Sequence, residues 1–315
     1  MKVGDRVIVR RHLPDTPGHL TDVIGHVISV SPLRVRPQSV GGFVSTSDFV
    51  EIPSELIQVI KVLPPRRVRN SEIRAIEVAN AKAFPGVEHT WVDGWLLRAG
   101  DGITERSNSA APLGPSAGLS AVPLVAIQDF YQRHNLPARM LLPDRIAPAA
   151  MRFSTSAGWE FGPDIIVMTR SLAEPVELRD DLRFEILDQP DDAWLELYHF
   201  RGQPLPPQAL ELLRTQIDGH MCFGRILNGS ETVAITRGTL TDGFLGYSAV
   251  EVAPAFRRQG LGTALGQCML NWGLTNGAHT AYLQVLGTND AGIGLYEKLG
   301  FIEHHRHRYA SEPGS

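Results

Sequence analysis

The stretch that decides the fold of the last third of the chain is Val250-Glu-Val-Ala-Pro-Ala-Phe-Arg-Arg-Gln-Gly-Leu-Gly-Thr263. Alternating apolar residues up to Val252 predict a strand, and the apolar run after Gly262 predicts a helix. The turn between them carries two arginines and two glycines. Such a turn aims several backbone N–H groups at one point, where the helix dipole adds positive potential, so we expect a pyrophosphate to bind there.

Three phosphate-binding patterns compete for this turn. A P-loop needs Gly-Lys-Ser/Thr, which the chain lacks. A dinucleotide fold needs GxGxxG, whereas Gly260, Gly262 and Gly266 give GxGxxxG, with no acidic residue about twenty positions on. The remaining pattern, Arg-x-x-Gly-x-Gly from Arg257, resembles the acyl-CoA pyrophosphate loop of the GNAT superfamily of N-acetyltransferases. A plain glycine turn before a helix is the alternative.

A second stretch strengthens the resemblance. Asn289-Asp-Ala-Gly-Ile-Gly-Leu-Tyr-Glu-Lys-Leu-Gly-Phe301 is similar to the superfamily's second signature, Asn-x-x-Ala/Gly-x-x-Leu-Tyr-x-x-x-Gly-Phe. The resemblance implies acetyl-CoA as co-substrate, with Asn289 touching it and Tyr296 protonating the departing thiolate. Tyr296 at the rim of a core-facing helix is the alternative. The implied coenzyme-binding residues are Val250, Val252, Arg257, Arg258, Gln259, Gly260, Leu261, Gly262, Thr263 and Asn289.

Amide formation requires a neutral amine and a stabilised oxyanion. The resemblance places the backbone N–H of Val252 at the oxyanion and lets Val250 line the strand. One branch of the superfamily carries its catalytic glutamate where this chain has Gly246, so that base is absent. Glu251 is our first candidate for the base, although alternation could equally turn it to solvent. The other nearby titratable candidates are Tyr247, Asp242 and His220.

The expected activity is acetyl transfer to a primary amine of a small molecule or a protein, by direct attack in a ternary complex. A non-catalytic acyl-CoA sensor or scaffold is the competing hypothesis, and the absent upstream glutamate favours it slightly. A third hypothesis makes the amino-terminal domain the functional module, binding a partner protein. The fold alone does not name the acceptor.

The amino-terminal residues, 1–65, show short alternating apolar runs separated by glycine, proline, serine and aspartate. This pattern predicts a small all-β barrel of SH3-like length. Its few aromatic residues include Phe43 and Phe49, so we expect a spacer or dimer contact rather than a peptide groove. The basic, proline-containing segment Lys61–Arg69 predicts a linker.

In the middle segment, residues 66–175, the stretch from Val122 to Val167 predicts helix, strand, helix and strand, the same order that the last third of the chain shows from its long helix to Phe301. Aligning Gly158 with Gly300 puts Ser154 where Tyr296 stands, and the middle segment lacks the pyrophosphate signature. We therefore predict an α/β GNAT fold with tandem halves, a degenerate one at 66–175 and a catalytic one at 176–315. The details include a helix capped by Ser71 and a strand over residues 103–108.

Two further segments have open interpretations. The stretches Trp91–Arg98 and 104–109 either line a pocket or place their tryptophans in the core and Arg106 in a surface ion pair. The run His304-His-Arg-His307 lies on the predicted last strand, where alternate residues face opposite sides. We expect a solvated edge there and no metal site.

Bulk composition sets the remaining expectations. The chain is 43% hydrophobic and 20% charged, without an apolar run near the roughly 18 residues that span a bilayer. A formal charge of -4 argues against nucleic acid as a partner. Cys222 and Cys268 show no metal or disulfide spacing, so we expect reduced thiols. The first residues lack a secretory pattern, so we expect a cytoplasmic protein. We also expect a monomer or homodimer without membrane contact.

Overall fold

The computed structural model describes residues 1–14, 16, 18–39, 42, 45, 47–64, 67–200, 203, 204 and 207–314. Phe43, one of the aromatic residues of the amino-terminal segment, lies outside them. The chain divides into two compact units, Met1–Val68 and Arg69–Ser315. No described helix is both long enough and apolar enough to cross a membrane.

The amino-terminal unit is a five-stranded antiparallel sheet. Its strands are β1 (Arg6–His12), β2 (Leu20–Val30), β3 (Leu33–Pro37), β4 (Val50–Glu51) and β5 (Ile57–Val62). They lie in the order β4-β3-β2-β1-β5. Alternate residues such as Val7, Val9 and Val35 form its buried core, as a period of two requires. The predicted small all-β unit is therefore present.

The second unit mixes helices and strands. Its first part contains α1 (Asn70–Ala83), β6 (Glu88–Val92), β7 (Trp95–Ala99), α2 (Leu124–Arg133), β8 (Arg139–Pro143), α3 (Pro148–Ser156), β9 (Glu160–Phe161) and β10 (Ile165–Ser171). Its second part contains β11 (Arg183–Leu187), α4 (Asp192–Leu197), β12 (His199–Phe200), β13 (Gln203–Pro204), α5 (Pro207–Gln216), β14 (His220–Asn228), β15 (Glu231–Thr241), β16 (Phe244–Val252), α6 (Leu261–Thr275), β17 (Thr280–Leu286), α7 (Asp290–Lys298) and β18 (Ile302–Ser311).

One nine-stranded sheet joins the two parts. Eight strands follow the order β11-β14-β15-β16-β17-β10-β18-β8, and β9 pairs with β18. Thus β10, the last strand of the first part, lies between β17 and β18, while β18 lies between β10 and β8. Each part therefore places its last strand next to a strand of the other. The boundary that we predicted near residue 175 lies in the connection between β10 and β11, two strands of this shared sheet, and stays a prediction.

Two predicted details are wrong. Helix α1 begins at Asn70 with Arg69 as N-cap, because the Glu72 carboxylate accepts a hydrogen bond from the Arg69 N–H at 2.7 Å. Ser71 therefore lies inside the helix. The expected strand over residues 103–108 is a loop with a short 3₁₀ turn, since the Asn108 side chain accepts from Gly100 N–H and donates to Thr104 O.

The interpretation of the histidine run as a solvated edge is also wrong. Strand β18 is internal, and His305 and His307 are only 5% and 1% exposed. Both imidazoles lie against Oε1 of Glu77 on α1, at 2.9 and 2.6 Å. Burial alone would raise the pKa of Glu77, but His307 and His305 hold it well below its usual value. The triad is a buried charged network between α1 and the sheet.

Candidate active site

The predicted pyrophosphate turn lies where β16 leads into α6. Gly260 is the N-cap of α6 with φ of 78°, and Arg258 also has a positive φ, 62°. Only glycine takes that conformation at little cost, and a non-glycine residue held in it is typical of binding turns. Arg179 steadies the turn by donating from Nη1 to Gln259 O at 2.9 Å. The first amides of α6 have no helical carbonyl to pair with, so they are free to bind an anion.

A cleft of about 680 Å³ opens above this turn, between α6 and α7. It is lined by Val252, Phe256, Arg257, Arg258, Gly260, Leu261, Gly262, Thr263, Asp290, Ala291, Gly294, Leu295 and Lys298. The lining therefore contains three cationic side chains, the N-termini of α6 and α7 and a single carboxylate, a charge balance that suits a pyrophosphate. Pattern analysis missed Lys298 and the supporting Arg179. Lys298 follows Asp290 and Gly294 at four-residue spacing, which would have put it on the same helix face.

The close approach of α6 and α7 explains two of the glycines in α6. A Cβ on Gly262 would meet Leu295 Cδ2 at 3.3 Å, and one on Gly266 would meet Leu299 Cδ1 at 2.3 Å. Both glycines face α7 and allow the two walls of the cleft to pack. Of these glycines, it is therefore Gly260 that the turn itself requires for its backbone conformation.

Strands β16 and β17 diverge beside the cleft. They pair in parallel only from Phe244 to Gly246, although β16 continues to Val252. A bulge at Ala249, with φ of 56°, bends β16 away from β17. Successive N–H groups of a strand point to opposite edges, and Ala253 N–H donates to Val233 O towards β15. The Val252 N–H therefore points into the gap, and the resemblance to the GNAT superfamily implies an oxyanion at this N–H.

Glu251 and Tyr296 lie close enough for their charges to interact. Burial raises the pKa of Glu251 above its usual value, although His199 and Arg257 partly oppose this. Burial, followed by the charge of Glu251, raises the pKa of Tyr296 to about 12. A phenol with that pKa keeps its proton at neutral pH, and a half-buried carboxylate is a stronger base than an exposed one.

The other candidates for the base are placed less favourably. The Tyr247 ring packs edge-on against Tyr296, with centroids 6.0 Å apart, and burial raises its pKa well above the usual value. Asp242 pairs with Lys82 in the turn before β16, and His220 begins β14 opposite Leu240. Both lie at the far end of the strands from the turn, roughly 25 Å along β16 at about 3.3 Å per residue. The sequence expectation that they are near the reaction is wrong.

Three predicted coenzyme contacts do not line the cleft. Asn289 is the N-cap of α7, where its Oδ1 accepts from Gly292 N–H at 2.9 Å. The Gln259 carbonyl accepts a hydrogen bond from Arg179, and Val250 packs into the cores on either side of β16. Their roles towards a coenzyme stay predictions.

A set of possible metal ligands lies elsewhere. The ligand atoms of Glu77, His305 and His307 are within 4.8 Å of one another, and this donor set suits zinc. In the structure, however, the two imidazoles share one carboxylate oxygen at hydrogen-bond distances. Oε2 of Glu77 and Nε2 of His307 are buried without a hydrogen-bond partner among the described residues.

Comparisons with known proteins identify the family. Residues 70–310 match the family model described as "Probable histone acetyltransferase Rv0428c C-terminal", and residues 1–50 match the "Rv0428c N-terminal Sm-like domain". The amino-terminal unit is thus described as Sm-like, and its predicted SH3-like character is not confirmed.

Individual proteins agree with the family match. The probable histone acetyltransferase Rv0428c of Mycobacterium tuberculosis is 36% identical over 314 residues, covering 98% of this chain and 94% of that protein. A GCN5-related N-acetyltransferase from Kribbella flavida has a similar fold, with a TM-score of 0.58 at 14% identity over 77% of this chain and 96% of that one.

A tandem GNAT protein from the clavulanic acid biosynthesis pathway is also similar in fold, with a TM-score of 0.55 at 14% identity, over 79% of this chain and 91% of that one. This similarity fits the internal repeat seen in the sequence. The chain belongs to the Rv0428c family of GNAT-type N-acetyltransferases, which take their acetyl group from acetyl-CoA.

Proposed function

We propose that the chain transfers the acetyl group of acetyl-CoA to a primary amine at the gap between β16 and β17. The observation that carries the proposal is the proximity of three groups: the α6 N-terminus and Val252 line the cleft, and the Glu251–Tyr296 pair comes from residues next to those that line it. Acetyl-CoA would supply the activated thioester. The chain's own residues would bind its phosphates, hold the developing oxyanion and move protons.

Each residue has a distinct part in this proposal. Arg257, Arg258 and Lys298 would neutralise the pyrophosphate together with the first amides of α6. Glu251 would take the proton of the attacking ammonium group, directly or through water. Tyr296 would give its proton to the leaving thiolate, since its pKa of about 12 keeps the phenol protonated.

The competing function is a sensor that binds acyl-CoA without transfer. Gly246 in place of an upstream glutamate favours it, whereas the partly buried phenol of Tyr296 favours transfer, because a binder needs no acid there. The name of the Mycobacterium tuberculosis relative suggests a protein amine as one class of acceptor. A small-molecule amine is the other.

Thiol release distinguishes the two functions. The full chain would be mixed with acetyl-CoA and a panel of amines that includes basic peptides, polyamines and amino acids. We expect thiol release with at least one amine, reduced in Tyr296→Phe. Acetyl-CoA binding without thiol release on any of these amines would support the sensor instead.

A further inference from the structure

Arg237, in the middle of β15, has a buried guanidinium without a counter-ion. The residue is 1% exposed, and its Nε and Nη1 atoms are enclosed without a hydrogen-bond partner. Within the described residues, no salt bridge joins it to a carboxylate. Because an unpaired buried charge is strongly unfavourable, such a group normally has an anionic partner. The described protein does not provide that partner.

Arg98 shows what a structural arginine looks like in the same interior. It is also 1% exposed, but it donates from Nη1 to Phe84 O at 3.2 Å and from Nη2 to Ser109 Oγ at 3.3 Å. The one buried carboxylate nearby, Glu77, is shared by two histidines. Arg237 has neither kind of partner.

A second guanidinium lies beside the first. Arg106 stacks over the Phe84 ring at 4.1 Å, and Arg237 lies 5.1 Å from the same ring. Arg106 thus makes a ring contact rather than the surface ion pair of one of the two sequence interpretations. Burial lowers the pKa of Arg237; Tyr198 opposes this, and the nearby charge of Arg106 adds to the lowering. Arg106 is half-buried, whereas Phe84 and Arg237 are buried. Two positive charges therefore lie beside the same ring, one nearer the surface and one in the interior.

Arg237 lies next to the proposed site of transfer. Arg237 pairs with Ser248, one residue before the bulge at Ala249, and the β16–β17 ladder stops at Gly246. A Cβ on the neighbouring Gly238 would meet Met269 of α6, so Arg237 points to the opposite face, away from α6. The gap between the diverging strands connects those two faces. A ligand group at Arg237 would therefore lie beside the gap, across the sheet from α6.

We propose that Arg237, assisted by Arg106, binds a carboxylate of the acceptor, so that the acceptor is a small amine that also carries an acidic group. The planar fork of arginine matches a carboxylate with two parallel hydrogen bonds. This inference rests on the proposed function, because it takes transfer to an amine at the gap as given. It adds the class of substrate that the site selects.

Matched acceptors test the proposal. L-lysine and cadaverine differ only by the carboxylate, as do L-ornithine and putrescine. With the full wild-type chain we expect kcat/KM to be at least about tenfold higher for the amino acid of a pair, since a site built for a polar group rejects an analogue that lacks it. In Arg237→Met the preference disappears while acetyl-CoA affinity is unchanged. Equal rates for both members of each pair would overturn the proposal.

A stability comparison tests the site without turnover. Arg237→Met removes an unpaired buried charge and keeps the side-chain volume, so we expect the midpoint of thermal unfolding to rise by about 2 °C or more. The control Arg98→Met removes a hydrogen-bonded arginine and should lower the midpoint. A lower midpoint in both variants would show that Arg237 is structural and would refute the proposal.

Added anions identify the ligand group. Sodium acetate should raise the wild-type midpoint more than sodium chloride at equal ionic strength, and this difference should vanish in Arg237→Met. Phosphate that stabilises where acetate does not would contradict the choice of a carboxylate. If no amine is acetylated at all, the proposed function fails, yet the stability and acetate experiments still decide whether Arg237 binds a carboxylate.

Discussion

Two glycines on facing helices should respond to the same substitution in opposite ways. Gly266 on α6 and Gly294 on α7 both have helical neighbours on each side, so alanine at either position gains about 1 kcal/mol in helix propensity. A Cβ at Gly294 would have no heavy atom within 4 Å beyond its own surroundings in the helix. A Cβ at Gly266 would lie 2.3 Å from Leu299 Cδ1, 3.1 Å from Cδ2 and 3.3 Å from Cγ.

The difference between the two variants isolates the contact with Leu299. Leu299 is 2% exposed and packed in the core under the cleft, so it has little room to move. Overpacking of this kind costs about 1–3 kcal/mol, and the propensity gain cancels between the two variants. At about 2–4 °C per kcal/mol for a unit of this size, Gly266→Ala should unfold roughly 2–12 °C below Gly294→Ala.

Thermal unfolding followed by circular dichroism measures both variants beside the wild type. We expect Gly294→Ala at or above the wild-type midpoint and Gly266→Ala below Gly294→Ala. Equal midpoints for the two variants would mean that α6 and α7 do not pack as described, and the walls of the cleft would have to be redrawn.

Three further predictions concern the charges of the site and the core. Tyr296→Phe should lower kcat by about 100-fold or more without changing acetyl-CoA affinity, because it removes only the proton donor. Glu251→Gln should remove the acidic limb of the pH–rate profile, a limb that lies above the usual glutamate range in the wild type because burial raises the pKa of Glu251. Glu77→Gln should lose about 3–5 kcal/mol of stability at pH 7, since it leaves two buried histidines without their carboxylate. The pKa of Glu77 is depressed in the folded chain, so its contribution is present above pH 4.5 and declines as the pH falls below that value, where the gap to the variant should narrow.

Each of these predictions has a contradicting result. An unchanged kcat in Tyr296→Phe would assign the acid to another group or to water. An acidic limb that persists in Glu251→Gln would transfer the base to another residue. An unfolding midpoint of Glu77→Gln equal to the wild type at pH 7 would mean that the triad contributes no net stability.

Local chemistry accounts for what the sequence predicted well. The turn at Gly260 and the helix faces of α6 and α7 depend on residues close in the chain, so their patterns are readable without a structure. The small all-β unit was predicted from alternation, but alternation alone does not distinguish an Sm-like from an SH3-like arrangement.

Long-range pairing accounts for what was missed. Glu77 meets His305 and His307 across 228 and 230 positions, and no local pattern links a helix to a strand so far away. The position of β18 inside the sheet depends on β8 and β10 from the first part of the unit. Arg106 and Arg237 are also far apart in the sequence, so no local pattern predicts that both contact Phe84.

The most direct test of the central claim is a calorimetric titration of acetyl-CoA into three chains. These are the wild type, a double variant that combines Arg257→Glu with Gly260→Asp, and a control. The control is Arg152→Glu, which replaces an exposed arginine on α3 by a glutamate, as Arg257→Glu does in the turn. We expect the wild type and the control to bind alike and the double variant to lose binding, because negative charge and a Cβ then occupy the turn. Equal binding by all three chains would contradict the assignment of the coenzyme to the N-terminus of α6.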